Sequence, residues 1–319
     1  MSMPRLMASL LALTIIGPWI QSAPAADVAT QRDLVNSGVV GIISGGVTGT
    51  YVRIASDLAD ALDHGYELRV LPIVGKGSVR NVEDLLLLRG IDVAIVQSDV
   101  LDFYKRAELV PNIEDRLRYI AKLYSEEVHV LAQSEYATID DLAGKRVNFG
   151  TKGSGTFMTA GIVFEDLGID VDVSSHPEPI ALEKLRDGEL DALVFVGGQP
   201  LPLIKEVGRE DRFRLLSIPT ERIKGAYTPA ELMPNAYPGL LNPGESVQTV
   251  AVSAVLAAYN WPADHPRRQK LDRFILNFYA NFETLLEPPF HPKWGEIDLE
   301  AEVPGWQRIG PAEKAVADD

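Results

Sequence analysis

The chain has 319 residues, 46% of them hydrophobic, with a formal net charge of −15 and no cysteine. Its length suits one large domain or two lobes of ordinary size. The charge opposes nucleic acid and anionic lipid as partners, and the missing cysteines exclude disulfides, thiolate metal sites, a cysteine nucleophile and a lipidated N-terminal cysteine.

The first residues read as a targeting segment. One arginine, Arg5, precedes an apolar run at 6–20, and small residues follow in "APAA". The run is short for a membrane span and Gly17-Pro18 interrupts it. A signal peptide at 1–25, cleaved on export to the periplasm, is therefore expected, and no later segment is expected to insert in a membrane.

Beyond a polar stretch, "VVGII" is a short apolar strand, and "SGGVTGT" a turn. In "YVRIASDLADAL" the residues Val52, Ala55, Leu58, Ala59 and Leu62 share one helical face. "ELRVLPIV" reads as a second strand, "GKGSVRNVEDLLLLRG" as a turn entering a helix, and "IDVAIVQ" as a third strand ending at Ser98 and Asp99. The order then repeats. "KRVNFG" is a strand, "TKGSGT" a turn, and Met158, Ile162 and Leu167 mark a helix face. "VDVSS", "ALEKLRDGE" and "LDALVFVGG" follow as strand, helix and strand. Apolar strands alternating with helices indicate parallel βαβ units, so the chain reads as two similar α/β lobes.

Between them, 117–134 is a plausible extended crossover, and the apolar run at 246–260 can return the chain to the first lobe. The boundaries read as lobe 1 at 38–127 completed by 250–319, and lobe 2 at 128–249. Leu271, Phe274, Ile275 and Phe278 lie on one face of a late helix. After Glu287 the Pro- and Trp-punctuated tail reads as a surface wrap, and its last eight residues as a frayed end.

Parallel α/β sheets bind ligands at the carboxyl ends of their strands. Helix N-termini there carry unpaired N–H groups and a partial positive charge, which suits a carboxylate. Glycine permits close approach, and Ser or Thr caps the helix or donates to the ligand. By this logic Ser44, Gly45, Gly46, Thr48, Gly49 and Thr50 form one half-site, with Tyr51 either stacking on a ligand or packing. Lys152, Gly153, Ser154, Gly155 and Thr156 form the other. Gln97, Ser98 and Asp99 end the third strand of the first half, and Gly197, Gly198 and Gln199 stand at the equivalent place in the second. Asp99 or Ser98 serves equally well as an ordinary helix cap. Lys76, with Ser78 just beyond it, and Lys152 are the best placed cations, followed by Arg53 and Arg80.

Enzyme readings find little support. "GKGS" lacks the Ser or Thr that a phosphate-binding loop places after its lysine. "GSGTFM" has Met158 where a dinucleotide fingerprint needs glycine, and Lys152 spoils a nucleophile elbow around Ser154. The histidines His64, His129, His176, His265 and His291 are scattered without metal spacing. His129 reads as a core or cleft histidine with one partner. No catalytic residue, metal or cofactor is expected.

The stretches "GIISGGVTGTYVRIASDLADAL", "GKGSVRNVEDLLLLRGIDVAIVQSD", "GKRVNFGTKGSGT" and "LDALVFVGGQP", in that order, resemble the TAXI family, the extracytoplasmic solute-binding subunits of TRAP transporters. The resemblance covers roughly 39–200. It implies a two-lobed periplasmic-binding-protein fold, each lobe a mostly parallel sheet flanked by helices and joined by a hinge. It also implies capture of a small anionic solute, an amino acid such as glutamate or a related dicarboxylate, and delivery to TRAP membrane subunits. The family's first turn maps onto 44–51, its QSD motif onto Gln97, Ser98 and Asp99, its second turn onto 153–156 and its GG-x-P onto 197–200. Many members have a neutral residue near the position of Lys76, so the lysine sets this chain apart. Two other expectations stand beside import by a TRAP system: a periplasmic sensor feeding a membrane signalling system, or a binding subunit of another transporter class.

Overall fold

The computed structural model describes residues 25–310 apart from 48, 66 and 226. Residues 1–24, which hold nearly all of the signal peptide expected at 1–25, the expected ligand residue Thr48 and the tail from 311 lie outside the described residues.

The described residues begin with α1 (Ala25–Ser37) and run through β1 (Val39–Ile43), α2 (Thr50–Leu62), β2 (Arg69–Ile73), α3 (Ser78–Leu87), β3 (Val93–Gln97), α4 (Val100–Arg106) and the single-turn α5 (Ile113–Arg116). The 17-residue β4 (Leu117–Gln133) crosses to the second half. There β5 (Arg146–Asn148), α6 (Gly155–Leu167), β6 (Asp172–Ser174), α7 (Glu178–Arg186) and β7 (Ala192–Gly197) repeat the order. After α8 (Pro202–Lys205), β8 (Phe213–Leu215) and β9 (Thr228–Leu232), the chain returns along β10 (Val247–Tyr259) into α9 (Pro266–Ala280) and α10 (Phe282–Leu285).

The described strands form one mixed sheet ordered β2-β1-β3-β10-β4-β7-β5-β6, with β8 beside β4 and β9 beside β10. Within each half the first three strands are parallel. The two long antiparallel strands join the halves and change partners on the way. β4 pairs with β10 over 117–127 and with β7 over 127–132. β10 pairs with β9 over 247–251 and with β3 over 254–258, and its ladder with β4 shifts register between Ser253 and Val255. The partner switch at Glu126 and Glu127 marks the junction of the halves.

β1, β3 and β7 are almost wholly buried because helices cover the sheet on its two faces. One apolar cluster packs α2 and α9 on β1, β3 and β10. Another packs α3 and α4 on the opposite face. Two further clusters, which α6 and α7 cover, fill the second half. Each fully buried Leu, Ile or Phe here contributes about 1.5–3 kcal/mol relative to exposure. Gly41 is required in β1 because a Cβ would overlap the Gly90 carbonyl.

Four local expectations need correction. Ile54 belongs to the buried face of α2, whereas Val52 and Ala59 are only partly buried. Met158, Ile162 and Leu167 do not share one environment: the first two enter a first-half cluster and Leu167 packs in the second half. α6 is apolar on opposite sides because it is sandwiched between the halves. The C-terminal wrap is no mere surface strap, since Trp294 is fully buried and donates its Nε1–H to the buried Asp57 at 2.9 Å. His129 has two partners, the Glu127 carbonyl at 2.9 Å and the Tyr237 hydroxyl at 2.7 Å.

Candidate functional site

Three turns at strand ends converge on the junction. The first leads from β1 into α2, whose N-cap Gly49 supplies no side-chain cap. The second leads from β2 into α3, whose N-cap Gly77 has φ +105° and likewise supplies none. The third, from the second half, leads from β5 into α6, where Ser154 Oγ accepts from the Phe157 amide at 3.1 Å. The two glycine caps leave first-turn N–H groups without a side-chain partner, although the Arg80 amide of α3 is taken up by the Gly153 carbonyl, and each helix adds partial positive charge at its start. The Asn81 amide fixes the floor by donating to the carbonyls of Ser44 at 2.6 Å and Ile95 at 2.9 Å.

The halves touch directly. The Arg80 amide donates to the Gly153 carbonyl at 3.1 Å. A Cβ on Gly77 would stand 3.1 Å from Ser154 Cα, and one on Gly155 would overlap the Gln97 carboxamide oxygen. Further in, Thr159 Oγ1 and Tyr227 Oη of the second half donate to Asp99 Oδ2 of the first at 2.7 and 2.8 Å. Burial raises the Asp99 carboxyl to about 6 against these two bonds.

A cavity of about 500 Å³ opens between the turns. Of the residues expected from sequence, Gly45, Gly46, Gly49, Thr50, Tyr51, Lys76, Ser78, Gln97, Ser154, Gly155, Thr156 and Gly197 line it. The others do not. Ser44 is buried with its hydroxyl on the Ile73 carbonyl. Ser98 exchanges hydrogen bonds with Ser253, closing the β3–β10 ladder. Asp99 sits in the interhalf contact just described. Lys152 is exposed and Gly153 meets Arg80 rather than the cavity. Gly198 abuts the Lys293 side chain, and Gln199 bonds Glu127, Glu231 and Met233. Among the candidate cations, Arg53 and Lys76 line the cavity, while Arg80 pairs with Glu83 and Asp84 on its own helix.

Several lining residues escaped the sequence reading: Gly77, Glu126, Glu178, Phe195, Glu206 and His291. Glu126 matters most. It is 4% exposed, and its Oε2 accepts from Tyr51 Oη at 2.6 Å. Burial raises its carboxyl to about 8, with the Tyr51 bond opposing. Burial and the Glu126 charge hold the Tyr51 phenol well above its ordinary range. Burial also raises Glu178 and lowers the His291 imidazole. The signal for Glu126 was two adjacent acids inside an apolar crossover strand, which the reading passed over.

A second cavity, of about 690 Å³, lies under the C-terminal wrap beside Tyr119, Tyr279 and Trp306. Its cation, Arg308, already donates to the Tyr119 and Tyr279 hydroxyls and to the Leu299 and Ala301 carbonyls, so it has little left for a ligand. Among the described residues no group of three or more His, Asp or Glu is placed to hold a metal ion. No helix of the described residues is long and apolar enough to cross a membrane.

The architecture is that of the two-lobed periplasmic solute-binding proteins. The structure of Tv2483 bound to L-arginine matches with a TM-score of 0.51 at 13% identity, over 86% of this chain and 98% of that one. An amino acid ABC transporter substrate-binding protein, AbpA from Streptococcus pneumoniae, also bound to L-arginine, matches with a TM-score of 0.45 at 14% identity over 83% and 98%. A TctC solute-binding protein from Polaromonas gives 0.42 at 12% identity over 77% and 87%. The chain belongs to the NMT1-like family, whose model matches residues 42–265.

Proposed function

We propose that the protein is an extracytoplasmic solute-binding protein, not an enzyme. It captures a small carboxylate, glutamate-like or a C4–C5 dicarboxylate, and passes it to TRAP-type membrane subunits. The observation that carries this reading is the half-open cleft between the halves, onto which helix starts from both, α2, α3 and α6, open together. Fixed N–H dipoles around a cavity favour an anionic group. In this reading the lobes are 38–127 with 250–319 and 128–249, and they part and close about β4 and β10. Binding shifts that equilibrium toward the closed form. The TRAP partner and the periplasmic location rest on the sequence resemblance and the expected signal peptide.

The test is a thermal-shift screen of small carboxylates on the chain from residue 26, followed by titration calorimetry. A ligand that binds only the folded form raises the melting temperature. Loss of that binding in Gly155→Val would tie it to the cavity. Uptake into proteoliposomes that carry TRAP membrane subunits, dependent on this protein, tests the partner. If no carboxylate shifts the melting temperature, the reading fails.

A further inference from the structure

The cavity is not uniformly basic. Glu126, Glu178 and Glu206 face it together with Arg53 and Lys76. Arg53 is already committed, its Nε to Asp57 at 3.1 Å and its terminal nitrogen to the Pro289 carbonyl at 3.0 Å. That leaves Lys76 and the helix starts to meet a carboxylate, and among the described residues no cation forms an ion pair with Glu126, the nearby Lys293 being paired with Glu296. Its Oε2 is held by Tyr51, but Oε1 has no hydrogen-bond partner among the described residues. A carboxyl that is 96% buried and shows its free oxygen only to the cavity ionises at a cost unless a cation arrives there to pair with it.

We propose that Glu126 receives a cationic nitrogen of the solute, so that the cavity selects an amino-acid-like zwitterion over the matching dicarboxylate and gives up a proton as it fills. This rests on the small-carboxylate reading above and narrows it. In the step, the carboxyl O–H bond breaks, the proton passes to solvent, and a ligand N–H donates to the carboxylate left behind. A dicarboxylate brings no cation, so Glu126 keeps its proton.

The surroundings support this chemistry. Burial raises the Glu126 carboxyl to about 8; Asp99 at the end of β3 and Glu127 beside it push the same way, while Tyr51 and Lys293 oppose. Lys293 is engaged by Glu296 at 2.7 Å. Tyr124, on the same strand, stays neutral, its phenol raised by burial and by Glu126. At pH 7 the acid form of Glu126 therefore predominates. An adjacent ammonium favours ionisation.

The experiment compares matched pairs that differ by one amine: L-glutamate with glutarate, L-norvaline with pentanoate, L-ornithine with 5-aminopentanoate. Calorimetry at pH 7 in phosphate and in Tris reads proton release from the difference in heat. The expected result is at least tenfold tighter binding of the α-amine-bearing member of a pair. Its release is expected to be a large fraction of a proton at pH 7 and to fall as the pH is raised through 8. Glu126→Gln, checked for folding by its melting curve, should weaken that member about 10- to 100-fold and abolish the release. Glu126→Asp should retain part of each. Equal binding within a pair and no buffer dependence would overturn the role of Glu126 while leaving the cavity reading intact. If none of the six binds, the small-carboxylate reading falls and this inference falls with it.

Discussion

The Arg80 amide and the Gly153 carbonyl, 3.1 Å apart, form a backbone hydrogen bond between the start of α3 and the turn before α6. Backbone contact across a cleft requires that neither side carry bulk. Gly155 meets this need, since a Cβ there would overlap the Gln97 oxygen and stand 2.7 Å from Ser78 Oγ. Gln97 cannot easily give way, being buried with its oxygen near the Ser78 and Thr159 hydroxyls at 3.4 Å. Gly155→Val is therefore expected to hold the halves apart and lower ligand affinity at least 100-fold. Small-angle scattering should show no ligand-induced contraction. Adding Gln97→Ala removes the obstacle and should recover part of the contraction; none would place the fault elsewhere.

Asp99 gives the junction a pH dependence of definite sign. Its carboxyl lies at about 6 in the folded chain against an ordinary 3.8. Between those values the native state binds more protons than the unfolded chain, so this group's contribution to stability falls as pH rises through the window. The loss approaches about 3 kcal/mol at most above pH 6, because each pKa unit is worth about 1.4 kcal/mol. Urea unfolding of wild type and Asp99→Asn at pH 4.5, 6 and 7.5 isolates the term. The difference between the two proteins should change with pH in that direction; a constant difference would show that Asp99 does not titrate in this window.

His129 acts with the opposite sign. The Glu127 carbonyl can only accept, which places the ring proton on Nδ1 and leaves Nε2 to accept from Tyr237. Burial lowers the imidazole to about 3. Its contribution is complete above pH 6.5 and is lost as pH falls toward 3, because the unfolded chain then binds the extra proton. Tyr237→Phe strands Nε2 and should cost about 1–3 kcal/mol at pH 7. Chemical denaturation reads the loss, and an unchanged midpoint would mean that a water or another donor replaces the hydroxyl.

The repeated βαβ order was legible because β1, β3 and β7 are continuous apolar runs, the pattern of strands covered on two faces. Glycine spacing located the turns before α2 and α6, and most of their residues line the cavity. Period and spacing are local properties, which is why the remainder escaped. Whether Ser98 faces a cleft or closes a ladder depends on Ser253, which is 155 residues away. The dual packing of α6 depends on a partner half that no helical wheel contains. The contribution of His291 depends on a tail that returns to α2 over 234 residues, through its amide on Asp57. Glu126 was visible as a charge in an apolar strand, but only the fold shows which of two adjacent glutamates faces the cavity.

The last prediction concerns that returning tail. Asp57 is fully buried and accepts from the His291 amide at 2.8 Å and from Trp294 Nε1 at 2.9 Å, with Arg53 Nε at 3.1 Å. One carboxylate thus pins the wrap to α2, and two of the residues it holds, Arg53 and His291, line the cavity. Removing it leaves a cation without its partner and two donors unsatisfied. Asp57→Ala is expected to destabilise by about 2–4 kcal/mol, mostly from stranding the His291 amide and the buried Trp294 indole N–H, since the half-exposed Arg53 can turn to water. Trp294→Phe removes only one hydrogen bond and some volume, and should cost about 1–3 kcal/mol. Ligand affinity should fall in Asp57→Ala by more than in Trp294→Phe, because only the first releases Arg53. Denaturation and calorimetry on the two variants separate these effects. Equal affinity losses would mean that the wrap, rather than the position of Arg53, shapes that wall of the cavity.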